Sequence, residues 1–135
     1  MIVVDTHVLV YAAIEGGFSE LAKRVSQTDN EWVAPPLWRS EFRNVLAGNI
    51  RRGDLSLTDA TAAFARAELF LEAEPAPDAA EVLGLVARSR CTAYDLEFVA
   101  VAQALGVSLV TNDRQILESF PAIAVSLESF AAGSA

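Results

Sequence analysis

Asp5, Glu41, Asp95 and Asp113 are the residues of this chain whose type and placement could do chemistry. Asp5 ends the apolar run Ile2-Val3-Val4 and is followed at once by a helix-like stretch. Asp113 follows Val107-Ser108-Leu109-Val110-Thr111 in the same way, Asp95 opens a later helix, and Glu41 interrupts the apolar stripe of another. Carboxylates crowded into one site raise one another's pKa unless a cation neutralises them. Oxygen-only clusters suit a hard divalent ion such as Mg²⁺ or Mn²⁺. The chain's one lysine, Lys23, lies in an early helix and offers no local counterion. This pattern points to metal-assisted chemistry on phosphate.

Each acid also has a plain structural role to weigh. Asp5 is a good helix N-cap, and its charge suits the helix dipole by roughly 0.3–1 kcal/mol. Thr92-Ala93-Tyr94-Asp95 has capping-box spacing, and Asp113, or its rival Asn112, could cap a short helix. Glu41 is harder to explain away. Trp38, Phe42, Val45 and Leu46 form a core-facing stripe, and Glu41 lies at its margin, three before Asn44 and four before Val45. A buried unpaired carboxylate costs several kcal/mol, so it needs an arginine, a metal or a water. Thr6 and Thr111 flank the acids and could orient a carboxylate or a water. Glu97, two after Asp95, reads as surface; His7 as a partly exposed helix residue; Cys91 as a small buried filler.

The elements that must position these groups alternate. Strands are expected at residues 2–5, 32–34, 72–74, 107–111 and 123–125. Helices are expected over about 6–14, 18–27, 37–52, 56–71, 78–89 and 93–105, with short helices after the last two strands. Gly53 and Gly106 stop two of them, and Ser56-Leu57-Thr58-Asp59 starts another as a capping box. Helices 37–52 and 56–71 form a hairpin. Strands alternating with helices mean a parallel sheet with crossovers, and ligands in such sheets bind beyond the strands' carboxyl ends, where Asp5 stands.

Composition narrows the chemistry further. At 135 residues and 53% hydrophobic, the chain suits one compact domain over 1–135. Its apolar start is too short for a signal peptide or membrane span, so a soluble cytoplasmic protein without membrane contact is expected. One cysteine and one histidine exclude a disulfide framework, a cysteine-rich zinc site and multi-histidine metal sites. There is no G-x-G-x-x-G and no P-loop lysine. Net charge is −8, awkward for a nucleic-acid binder. The first 66 residues carry seven Lys/Arg against eight Asp/Glu, the rest three against ten. Arg39, Arg43, Arg51 and Arg52 could make a local basic surface, or simply a solvated helix face.

These residues together resemble a PIN domain, and more narrowly the VapC-type toxins of toxin–antitoxin pairs. The resemblance spans the chain. It rests on Ile2-Val3-Val4-Asp5-Thr6, Trp38-Arg39-Ser40-Glu41-Phe42-Arg43-Asn44-Val45-Leu46, the segment Tyr94-Asp95 to Ala102, and Leu109-Val110-Thr111-Asn112-Asp113. It implies an α/β fold whose five-stranded parallel sheet has order 3-2-1-4-5, flanked by helices with a protruding helical hairpin. It also implies Mg²⁺- or Mn²⁺-dependent endoribonuclease activity, with Asp5, Glu41, Asp95 and Asp113 as the acidic quartet. Asp5, Asp95 and Asp113 would hold metal, and Thr6 and Thr111 match supporting hydroxyl positions. His7 departs from the family, which often has a smaller residue there. A small VapB-like antitoxin and a homodimer are implied partners, RNA the substrate, 5′-phosphate and 3′-hydroxyl ends the products. Two phosphate-handling alternatives fit poorly: a receiver domain needs a lysine near its acceptor, and a haloacid-dehalogenase-like phosphatase needs an Asp where His7 stands. A catalytically inactive PIN-like partner-binding module is the remaining rival.

Overall fold

Three consecutive β-branched residues follow Met1, and they become the central strand β1 (Ile2–Val4) of a five-stranded sheet in the computed structural model, which describes residues 1–133. All three are buried, as a parallel sheet covered on both faces requires. The other strands are β2 (Trp32–Val33), β3 (Leu71–Ala73), β4 (Leu109–Val110) and β5 (Ala124–Val125), all parallel, in the order β3-β2-β1-β4-β5. Register pairs Val3 with Val33 on one side and with Leu109 on the other. The order reverses at β1, so the crevice between the ends of β1 and β4 is a topological switch point.

The helices are α1 (Thr6–Ala13), α2 (Ser19–Thr28), α3 (Trp38–Arg52), α4 (Leu57–Phe70), α5 (Ala79–Ala87), α6 (Ala93–Leu105), α7 (Arg114–Ser119) and α8 (Leu127–Ala131). Gly53 and Gly106 end α3 and α6 with φ of 79° and 67°, left-handed values that a side chain would resist. Ser56 caps α4 by accepting from the Asp59 amide at 3.0 Å. The ends of the sheet differ from the sequence reading. β3 begins at Leu71 because α4 passes straight into it, and Val107 and Ser108 lie outside β4. Ser108 still contributes a carbonyl to the Val3 amide at 2.9 Å.

The α3–α4 hairpin is half embedded. Ala60, Ala63 and Ala67 are buried where α4 packs on α1 and α3, and small side chains let those helices approach closely. Its tip stands out, with Ile50 38% and Leu57 72% exposed. The start of α3 has no side-chain cap at Leu37. It is anchored instead through Glu74, just beyond β3. Trp38 Nε1 donates to Glu74 at 2.8 Å, and Arg39 grips both Glu74 oxygens at 2.7 Å while also donating to Glu68 at 2.7 Å. Arg39 thus holds the Glu74 carboxyl below its usual range. The guanidinium also lies over the Trp38 ring, 5.1 Å from its centroid. Arg39 is therefore committed to structure, and Arg52 pairs with Asp54. Two of the four clustered arginines are neutralised, which weakens a basic-surface reading. Among the described residues no helix is long and apolar enough to cross a membrane.

Candidate active site

A cavity of about 680 Å³ opens at the switch point, and Asp5, Glu41, Asp95 and Asp113 all line it. Four separate segments deliver them: the β1–α1 junction, α3, the first turn of α6, and the β4–α7 junction. Among the described residues no lysine or arginine lines the cavity.

The capping roles expected of the aspartates are real and coexist with this convergence. Asp5 accepts the Val8 amide at 3.0 Å through one oxygen, and the Thr111 hydroxyl donates to the other. Asp113 accepts the Ile116 amide at 3.0 Å, capping α7. Its rival Asn112 instead accepts from the Leu127 amide at 3.3 Å. The Asp95 amide donates to the Thr92 hydroxyl at 3.1 Å at the start of α6. Thr111, fully buried, ties two acids together, because its oxygen also accepts the Asp113 amide at 3.0 Å. Thr6, also buried, donates to Glu41 at 2.6 Å. No arginine pairs with Glu41 among the described residues. Arg39 is engaged elsewhere, and Arg43 lies over the Phe64 ring. Both threonines therefore restrain carboxylates while only Thr6 reaches the cavity wall.

Burial raises the Asp5 pKa, and the charge of Asp113 adds to the rise against opposing hydrogen bonds from Thr111 and Val8 and the field of His7. Asp95 is raised in the same direction, by burial first and then by Asp113, with Thr92 and His7 opposing. Asp113 therefore lies within electrostatic reach of both. Glu97 is not the surface residue expected from its spacing. It is half-buried, and burial followed by the charge of Glu41 raises its pKa. His7 is exposed, as expected, yet it forms part of the cavity wall. Asn44, Asn112, Ser40 and Tyr94 also line the cavity and were not singled out as site residues. Asn44 was within reach of the sequence, because three residues after Glu41 is the same helix face.

The donor set fits a hard divalent ion: all oxygen, acidic, and mutually repelling. Among the described residues no three Asp, Glu, His or Cys side chains are gathered closely enough to grip one ion together. That spacing still suits Mg²⁺, which keeps several waters and takes only one or two carboxylates directly.

The comparisons with known proteins agree with this architecture. The PIN domain family matches residues 2–122. Over 126 residues the chain is 32% identical to Ribonuclease VapC3 of Pyrobaculum aerophilum, covering 90% of this chain and 96% of that protein. The crystal structure of PAE2754 from Pyrobaculum aerophilum superposes with a TM-score of 0.78, covering 98% of this chain and 95% of that one. Its identity is 22%, so that likeness bears on the fold alone. By the extent of the family match and the identity to a relative of nearly equal length, the chain belongs to the PIN domain family and, within it, to the VapC type.

Proposed function

We propose that the protein, acting as one nuclease domain over 1–135, is a Mg²⁺- or Mn²⁺-dependent endoribonuclease and the toxin of a toxin–antitoxin pair. One observation carries this reading: four carboxylates from four separate segments line one cavity that, among the described residues, no Lys or Arg lines. Asp5, Asp95 and Asp113 would hold the ion, one or two of them directly and the rest through its waters. When bound, the ion supplies Lewis-acid charge for the phosphate and lowers the pKa of a water. Glu41, one oxygen fixed by Thr6, is left with the other to accept a proton from the attacking water. Thr111 keeps Asp5 and Asp113 in register for this arrangement. Attack by water leaves the 2′-hydroxyl uninvolved, so the products carry 5′-phosphate and 3′-hydroxyl ends. Kinship with a protein named a ribonuclease supports RNA as the substrate.

Glu41→Gln tests the assignment with little confusion from folding. The amide oxygen can still accept from Thr6, so the melting temperature should barely change. Cleavage should fall by roughly 10²-fold or more, the usual scale for general-base loss. A clear loss of stability with full activity would make Glu41 a structural residue instead.

The proposed partners, in the cytoplasm, are a small VapB-like antitoxin and a second copy of the chain. Leu46 of the hairpin is buried, and Phe64 and Phe70 pack against the core, which limits the apolar surface left there. What stays exposed is Ile50, Leu57 and Leu69 on the hairpin, and Leu83 and Val86 on α5. Light scattering that finds only monomer across concentrations would remove the dimer.

A further inference from the structure

One wall of the cavity continues outward as a row of aromatic rings. His7 and Tyr11, four apart on α1, share a helix face and both line the cavity. Their ring centroids are 6.3 Å apart, with planes at 38°. Phe18 returns after the turn to stack on Tyr11, at 4.7 Å and 28°. His7 is exposed, and Phe18 is 45% exposed although it is wholly apolar. Tyr94 stands on the cavity wall as well, 64% exposed. We propose that His7, Tyr11 and Phe18 form a stacking track for the unpaired bases of an RNA strand whose backbone enters the carboxylate cavity.

This inference rests on the nuclease reading and adds to it the class of RNA taken. A net charge of −8 and a cavity wall without Lys or Arg leave phosphate attraction weak, so affinity must come from elsewhere. Stacking supplies it. Each base on an aromatic ring contributes about 1–3 kcal/mol regardless of sequence, or about five- to hundredfold in affinity. In a duplex the base faces are already stacked on one another, so the track engages only unpaired segments. RNA is favoured over a peptide as occupant because the row is continuous with the catalytic cavity. His7 and Tyr11 also present polar tips beside aromatic faces, as base edges and faces together demand.

The test uses the full chain carrying Glu41→Gln, which slows cleavage, with Mg²⁺ and a single-stranded RNA of about 12 nucleotides, a length within ordinary single-strand site sizes. Fluorescence anisotropy would compare this strand with its duplex and with a strand of the same length made abasic at the centre. The base-bearing single strand should bind about fivefold or more tighter than either. Phe18→Leu and Tyr11→Leu keep apolar bulk and remove the π face, and each should erase most of that ratio. Phe18 is the more exposed of the two, so its variant should keep the wild-type melting temperature. Equal binding of abasic and base-bearing strands, equal binding of the duplex, or a Phe18→Leu variant with full preference would overturn the track. Variants that keep RNA preference but lose a bound protein partner would overturn it too, and assign the surface to protein docking. A base preference without Mn²⁺-dependent cleavage would sink the nuclease reading and leave the track, whereas cleavage without the preference would do the opposite.

Discussion

Asp5→Asn is expected to abolish most cleavage while making the protein more stable at neutral pH. Asn caps a helix as well as Asp does, so the bond from the Val8 amide survives. What is lost is the charge, and with it the acceptor for the Thr111 hydroxyl, to whose oxygen the Asn amide nitrogen can donate instead. On the proposed function, loss of a carboxylate that would hold the metal should remove about 3 kcal/mol or more of transition-state stabilisation, roughly a hundredfold in rate. The stability gain follows from the raised pKa of Asp5, caused by burial and then by Asp113 against the opposing hydrogen bonds. A carboxyl whose folded pKa is raised contributes stability that is complete below its unfolded value, about 3.9, and lost as pH rises through the folded value. Asn does not ionise and escapes that loss. Thermal melts without divalent ions should therefore show the variant above wild type at pH near 7, with the gap closing toward pH 4. A variant that melts lower at pH 7 and cleaves normally would reduce Asp5 to a helix cap.

Trp38→Ala carries the largest expected loss of stability. Trp38 is fully buried, packs edge-on against Phe42 and stacks on Phe64 at 5.2 Å, and donates its indole N–H to Glu74. Replacing so large a buried ring costs about 3–5 kcal/mol. Domains of this size have only about 5–15 kcal/mol in total, so the melting temperature should fall by roughly 10–20 °C. The damage should reach the site as well, since Glu41 lies one turn along the same helix and that helix start depends on the Glu74 anchor. Trp38→Phe separates the two contributions. It keeps much of the ring packing and deletes the hydrogen bond to a charged carboxylate, which is worth about 1.5–3 kcal/mol. Circular dichroism melts that place Trp38→Ala within a few degrees of wild type would contradict this view of α3.

Much of this architecture was legible because local signals and tertiary needs agree. Ile2-Val3-Val4 followed by Asp5 reads as strand then cap, and Gly53 and Gly106 stop helices where left-handed backbone is required. The strand–helix alternation carried the parallel sheet and placed Asp5 and Asp113 at adjoining strand ends. Other features depend on partners distant in the chain. Arg39 looked like a candidate basic surface beside Arg43, and only the fold shows it committed to Glu68 and Glu74, about thirty positions away. Likewise Thr6 was a plausible orienting hydroxyl, but its match with Glu41 needs α1 packed against α3. Glu97 misled because helical spacing from Asp95 says nothing about which neighbour covers it. The aromatic row from His7 to Phe18 crosses a turn at Gly16-Gly17, and helical periodicity cannot follow rings around such a turn.

The central claim is hydrolysis of RNA by water at a metal-dependent acidic site, and mapping the ends of cleaved RNA tests it most directly. Purified protein would be incubated with a 5′-labelled single-stranded RNA in Mn²⁺, Mg²⁺ or EDTA, with Asp5→Asn alongside. The account predicts cuts only with a divalent ion, none above background by Asp5→Asn, and new ends that are 5′-phosphate and 3′-hydroxyl. Cleavage in EDTA, or ends carrying a 2′,3′-cyclic phosphate, would contradict it.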